Sequence, residues 1–349
     1  MKITRRQFVQ VMAVAGASAL LTACGGSSNS TAGSGAAAAT GGSFNLKLGH
    51  NLAEDHAVHI QLTSFAEQVK EKTGGSINIQ IIPNGTLGSE ADMISQIQAG
   101  ALDMAKVSAS TLGNFSEKYN AFSVPYVFND QAHYYSYMDS DSAKAVFESI
   151  DDQGFRGLTW LDSGARSFYT KATAIRTPAD LKGLKIRVQD MKSQTDMMNY
   201  LGGIPVAMSY GDVYTSLQTG IIDGTENNET ALTTGKHGEV CKVYSVDQHA
   251  MIPDVLIMSE KVWKQISPED QEIILEAAHN STEAHKVMWD TAIEEAVKEA
   301  QETMGVEFVY DVDKEAFREA TQPMIEAYEE QYPGVKTLMD TIEAAREGE

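Results

Sequence analysis

Two arginines stand out in a chain that is otherwise acidic. Arg166 lies in Ser163-Gly164-Ala165-Arg166-Ser167, at the entrance to a strand-like segment, and Arg187 lies in Leu184-Lys185-Ile186-Arg187-Val188. In the second segment a period of two puts Leu184, Ile186 and Val188 on one face and Lys185 and Arg187 on the other. Arg187 is near the strand's C-terminal end, the edge at which open α/β sheets bind ligands. A guanidinium there offers a flat two-pronged donor to a carboxylate; the alternative is a surface arginine paired with a neighbouring acid. Downstream, Asp223-Gly224-Thr225-Glu226-Asn227-Asn228 leaves a short strand and is dense in amides, which donate and accept together as sugar hydroxyls require. It reads equally as an Asx-rich turn. His50, His56 and His59, with Glu54 and Asp55 between them, could share a metal, but their spacing is less regular than zinc sites use, and no metal is expected. The chain contains no G-x-S-x-G, P-loop, G-x-G-x-x-G, H-E-x-x-H or EF-hand loop. Neither a cofactor nor an enzymatic activity is expected.

Composition bounds what can carry these residues. With 349 residues, 42% apolar and 21% charged, the chain has the balance of a folded protein and length for two domains. Lys plus Arg number 27 and Asp plus Glu 48, a net charge of 27 − 48 = −21. There is no basic run, so nucleic acid and anionic membrane surfaces are excluded as partners of the folded part. Cys24 and Cys241 are too few for a disulfide framework. Cys241 reads as a buried free thiol.

The order of elements is β-α-β-α-β followed by a second α/β unit, which argues for two mostly parallel sheets with helices on their faces. Strands are expected at Phe44–Gly49, Ser76–Ile82, Asp103–Val107, Phe155–Leu161, Ser167–Ala174, Leu184–Val188, Ile204–Ala207 and around Ile221-Ile222. Helices are expected at His56–Lys72, after Ser89, over Met191–Leu201, and over Ser209–Gln218 with Ser209 and Asp212 as a capping box. Ser267-Pro268-Glu269-Asp270 opens a helix reaching about Ala300, roughly 45–50 Å, long enough to pass from one lobe to another.

The N-terminus reads as an address. Lys2, Arg5 and Arg6 precede a 14-residue apolar core, Phe8–Leu21, too short to span a bilayer comfortably. Leu21-Thr22-Ala23-Cys24 resembles a bacterial lipobox, and Thr4-Arg5-Arg6-Gln7-Phe8 a twin-arginine export signal. Residues 1–23 are expected to be removed, Cys24 lipidated, and 24–43, rich in Gly, Ser, Ala and Thr, to form a tether of roughly 25 Å reach. The folded body is then exported and held at the outer face of the membrane by its lipid alone.

Taken in order, Leu48-Gly49-His50-Asn51, Leu87-Gly88, Gly100-Ala101-Leu102-Asp103, Pro125-Tyr126-Val127-Phe128, the block Pro178 to Val188, the block Tyr214 to Gly220 and Asp223 to Asn227 resemble the extracytoplasmic solute-binding subunit of TRAP transporters, dicarboxylate-type branch. The resemblance covers essentially the whole mature chain. It implies a two-lobed periplasmic-binding-protein-like α/β fold with crossing strands and a long helix spanning both lobes. It also implies a cleft that closes on an organic acid for delivery to sodium-driven membrane subunits. By the same resemblance Arg187 is the main carboxylate clamp, Arg166 a second arginine on the same group, and Asn227 the amide that steadies it. Asn51 and Ser108 line the first lobe, and Tyr210 forms an aromatic wall. Lobe I is expected from 44–164 with 252–290, lobe II from 165–251 with 291–349, hinged near Gly164 and Ile252.

Asp190, three residues after the clamp, departs from the neutral residue expected there. A carboxylate beside the bound acid repels a second negative group and accepts bonds from hydroxyls. With Asn51, Ser108, Asn227 and Asn228 at hand, this favours a polyhydroxylated monoacid, and the doubled asparagine resembles binders of hexuronates such as glucuronate or galacturonate. A C4-dicarboxylate ligand is the alternative within the same subunit type. Outside it stand a hydrolase of sugar acids using Asp190 and Glu226 as paired carboxylates, and a ligand-sensing module.

Overall fold

The computed structural model describes residues 43–149 and 153–346. The expected signal segment, Cys24 and the tether before Ser43 lie outside the described residues.

Among the described residues eleven strands form two sheets. The first contains β1 (Phe44–Gly49), β2 (Ile77–Ile82), β3 (Met104–Ser108), β4 (Phe155–Leu161) and β10 (Asp254–Ser259), in the order β2-β1-β3-β10-β4. The second contains β5 (Ala165–Thr170), β6 (Lys185–Val188), β7 (Ile204–Ala207), β8 (Gly224–Asn227), β9 (Val243–Met251) and β11 (Glu307–Val309), in the order β11-β9-β5-β8-β6-β7. Each sheet has a parallel half, β2-β1-β3 and β8-β6-β7, to which antiparallel strands are added.

The apolar periodicity of the sequence builds both faces of each sheet. In the first, Val58, Leu62, Phe65 and Val69 of the helix Ala57–Lys72 pack with Leu46, Leu48 and Ile77, while Met93, Ile94 and Ile97 of Glu90–Ala99 pack with Val107 and Val255 on the other side. Ser89 and Asp92 close a reciprocal capping box, and Gly100 ends that helix in the left-handed conformation. In the second, Ile186, Val188 and Phe168 meet Met197 and Phe317, and Tyr169, Leu217, Leu232 and Tyr244 form the opposite cluster.

The chain passes between sheets at 162–164, from β4 to β5, and at 252–253, from β9 to β10. Gly164 has φ +66°, and a Cβ there would crowd Trp289 and Asn228 at 3.2–3.3 Å. The helix Pro268–Glu302, capped by Ser267, buries Ile274, Ala277 and Ala278 in the first sheet's core and Ala300 in the second's.

Four local readings change. β5 ends at Thr170 rather than Ala174. The amide-rich run Gly224–Asn227 is itself a strand, wholly buried between β5 and β6, because its polar side chains are met by polar partners rather than water. Ser209 makes no cap bond; Tyr210–Asp212 is a single turn leading into the helix Val213–Thr219. The C-terminal helix Pro333–Arg346 packs Val335, Leu338 and Ile342 into the first lobe's core, although 291–349 is expected in the second. Its apolar stripe shows that a face is buried but not against what.

Candidate binding cleft

β6 is four residues long and its Arg187 is 3% exposed. Its guanidinium Nε and Nη2 donate to the Met208 carbonyl at 3.0 and 2.8 Å. A guanidinium has five N–H groups, so three are uncommitted. Among the described residues no carboxylate lies within 4.0 Å of it. Burial depresses its pKa from the ordinary arginine value; Glu226 pulls the other way and Arg166 adds to the depression. A buried cation without a counter-ion is costly to maintain.

Arg166, on β5, is treated differently. Its Nε and Nη2 form a two-pronged pair with the Glu226 carboxylate at 2.5 and 2.9 Å. Nη2 also reaches the Glu226 carbonyl at 3.0 Å and Nη1 the Asn227 Oδ1 at 2.9 Å. The antiparallel register that sets Phe168 opposite Glu226 and Ser167 opposite Asn227 brings these groups together. Burial would raise the Glu226 pKa, but Arg166 and His249 hold it at about 2. Behind it His249 Nδ1 lies 2.7 Å from Asp247 Oδ2 and Nε2 lies 3.5 Å from Glu226. Burial lowers the His249 pKa, yet the two acids outweigh it and raise it to about 9. Arg166 therefore brings no unmatched charge to the cleft, and one free N–H.

The facing wall comes from the first lobe. Lys106 on β3 is 2% exposed, with Nζ 3.1 Å from both Glu90 Oε1 and Asp254 Oδ2. Glu90 Oε2 accepts from Ser108 N at 3.0 Å and Thr111 Oγ1 at 2.8 Å. Burial and Glu90 push the Asp254 pKa up while Lys106 opposes them. Burial would lower the Lys106 pKa, but the two acids raise it. Sequence reasoning passed over this triad. Its signal is a lysine in the middle of an otherwise apolar strand, Met104-Ala105-Lys106-Val107, beside the edge where ligands are expected.

Arg187, Arg166, Asn227, Asn228, Asn51, Ser108, Tyr210 and Asp190 all line one cleft of about 510 Å³, together with Lys106, Glu90, Asp254, Gln189, His56 and Thr230. That volume suits a small organic ligand. The eight are not equivalent. Asn227 Oδ1 accepts from Arg166 Nη1 and from Asn228 N, leaving its NH₂ free. Asn228 spends its amide on the crossing, donating to the Ser163 carbonyl at 2.8 Å and accepting from Thr230 N and Oγ1. Asn51 Oδ1 is buried without a partner. Tyr210 is half-buried, and Asp190 is exposed at the rim.

The histidines serve structure. His50 Nε2 and His59 Nδ1 are 2.9 Å apart; His56 caps its helix through Val58 N and meets Thr230 Oγ1 at 3.1 Å. Burial, then Lys106, pushes both His50 and His56 down to about 3, so they are neutral. Among the described residues no group of three His, Cys, Asp or Glu is placed to hold a metal. Cys241 is a buried free thiol whose pKa burial pushes up to about 12. No described helix is long and apolar enough to cross a membrane.

Residues 48–331 match the family described as bacterial extracellular solute-binding protein, family 7. The uncharacterized protein YiiZ of Salmonella typhimurium is 42% identical over 283 residues, 81% of this chain and 86% of its own length. The 2,3-diketo-L-gulonate-binding periplasmic protein YiaO of Escherichia coli is 28% identical over 278 residues, 79% and 84%. A TRAP periplasmic solute-binding protein from Anaerococcus prevotii with bound α/β-D-glucuronate superposes with a TM-score of 0.84 at 39% identity, covering 87% of this chain and 98% of that one. One from Sulfitobacter sp. NAS-14.1 with bound β-D-galacturonate gives 0.83 at 34% identity, covering 86% and 99%.

Proposed function

The chain belongs to the bacterial extracellular solute-binding proteins of family 7, a family of binding proteins rather than enzymes, and on that premise we propose that it captures a hexuronate outside the cytoplasmic membrane and hands it to TRAP membrane subunits. The observation that carries this is Arg187: buried, with three N–H groups free and no carboxylate within 4.0 Å among the described residues. A carboxylate seated there relieves the cost of the unmatched charge. Asn227 supplies a free NH₂ beside it, and Arg166 one N–H. The sugar hydroxyls face Lys106, Glu90, Asp254, Asn51 and Ser108, a wall offering both donors and acceptors.

The cleft's charges favour one carboxylate over two. Arg166 is matched by Glu226, and Lys106 is shared by two acids. A second carboxylate on the ligand would meet Glu90 and Asp254 with no cation left to receive it. The relatives solved with glucuronate and galacturonate support the same class.

Lobe I is taken as 44–164, 252–290 and the C-terminal helix; lobe II is the remainder of the folded body. Export by residues 1–23, lipidation of Cys24 and a tether to Ser43 complete the reading, the membrane being contacted through the lipid only. Replacing Cys24 by Ser should release the protein from the membrane fraction.

The ligand is tested by calorimetry and thermal shift with D-glucuronate, D-galacturonate and succinate. A uronate at 100 times its Kd should stabilise the fold by about 2.7 kcal/mol, and succinate should be weaker. Succinate binding tighter than both uronates would overturn the assignment.

A further inference from the structure

The chain that carries Arg187 runs on into a seam between the lobes. Gln189 Nε2 donates to Ser108 Oγ at 3.1 Å, the Asp190 carbonyl accepts from Asn114 Nδ2 at 3.0 Å, and Gln194 Nε2 donates to the Ser123 carbonyl at 3.2 Å. In the middle of the seam Met191, 4% exposed, pushes its thioether into the first lobe, with Sδ 3.2 Å from Ser110 Oγ and 3.7 Å from Ser123 Oγ. The socket closes at Gly113. A Cβ there would stand 2.1 Å from Met191 Cε, 2.9 Å from Asn120 Oδ1 and 3.2 Å from the Ser110 carbonyl.

Gly113 itself is right-handed, φ −60° and ψ −22°, a conformation any residue adopts. Its backbone therefore gives no reason for glycine; the approach of Met191 does. Met191 is four residues beyond Arg187, and Ser108, five before Gly113, lies on the opposite wall of the cleft. Neither Met191 nor Gly113 lines the cleft.

We propose that Met191 seated against Gly113 is the stop that sets how closely the two lobes approach, so that this pair positions Arg187 and the first-lobe wall around one ligand. A flexible, unbranched side chain fills such a socket closely, and Ser110 Oγ and Ser123 Oγ both donate to its sulfur. The two are positioning residues, acting through the walls they hold. The proposal rests on the reading of the cleft as a uronate site.

Gly113→Ala, Met191→Ala and the double variant test it in the full chain, with D-glucuronate and D-galacturonate as probes. The result expected is a loss of affinity of about tenfold or more in Gly113→Ala, with a loaded protein less compact in X-ray scattering than loaded wild type. Met191→Ala should recover most of both in the Gly113→Ala background, because it removes Met191 Cε, the nearest of the three atoms the new Cβ meets. A packing role alone would lower the melting point of the free protein and leave affinity and closure unchanged. Affinity within twofold of wild type in Gly113→Ala, or a double variant no better than Gly113→Ala, overturns the stop. If wild type binds neither acid, the ligand reading fails separately. The stop is then judged on free protein: equal scattering profiles of wild type and Gly113→Ala would overturn it, and an expansion reversed by Met191→Ala would support it.

Discussion

The two walls of the cleft are built from the same chemistry and end with opposite charge. The second lobe sets Arg166 and Arg187 against one carboxylate, Glu226, and is left with a cation. The first lobe sets Lys106 against Glu90 and Asp254 and is left with an acid. What recognises a ligand is the group whose charge the protein has not already answered. Arg166 has four of its five N–H groups tied to Glu226 and Asn227, and so it frames the site. Arg187 meets only a neutral carbonyl among the described residues, and so on the reading proposed above it is the group that would receive the ligand.

The largest effect should come from removing the charge that makes the two arginines unlike. Glu226→Gln leaves Arg166 buried and unpaired, which should cost about 3–5 kcal/mol of stability in urea unfolding. The same change makes Arg166 a second unmatched cation, so affinity for succinate should rise relative to a uronate. An unchanged ratio would break the comparison.

Next is Arg187 itself. Arg187→Ala should weaken uronate binding by about 2–5 kcal/mol, roughly 30- to 5,000-fold, while the free protein stays folded. Arg187→Lys keeps the charge but loses the fork and should fall on the same scale. Calorimetry within about threefold of wild type would move the carboxylate elsewhere.

The contacts of His249 with Asp247 and, more weakly, Glu226 give a pH dependence whose sign follows from the shifts. The folded His249 pKa is raised from 6.5 to about 9, so its contribution is full below about pH 6.5 and lost as pH rises through 9. The folded Glu226 pKa is lowered from 4.5 to about 2, so its contribution is full above about pH 4.5 and lost as pH falls through 2. Unfolding free energy should therefore decline by up to about 3 kcal/mol between pH 7 and 9.5 on account of His249. His249→Gln should flatten that decline, and a wild-type curve as flat as the variant's would refute the pairing.

The smallest effect is expected at the rim. Asp190 is exposed, and solvent screens an exposed carboxylate. Asp190→Ala should change uronate affinity by less than about 1 kcal/mol, under roughly fivefold, with succinate helped more than the uronate. A larger loss would mean that the closed cleft buries Asp190.

Much of this was legible in the chain. Alternation in Leu184–Val188 put Arg187 and Lys185 on one face, and Ser89 and Ser267 announced their helices. Those are local properties, set by periods of two and 3.6 and by caps a few residues long. Hinges near Gly164 and Ile252 came instead from the family resemblance, which implies crossing strands. The matching of Arg166 was not legible, because its partner lies 60 residues away and meets it only through the pairing of β5 with β8. Lys106, Glu90 and Asp254 are separated by 16 and 148 residues and share no motif.

By itself the sequence determined most of the element types, the excess of acidic residues, the long helix and the set of polar side chains that line the cleft. Each of these depends on residues close together in the chain or on their sum. The tertiary structure decided which arginine has a carboxylate partner, that a polar run is a buried central strand, that the last helix packs into the first sheet's core, and that Met191 comes up against Gly113. These are outcomes of burial and pairing between distant segments, where the energy of a charge depends on what surrounds it in space rather than on what precedes it in the chain.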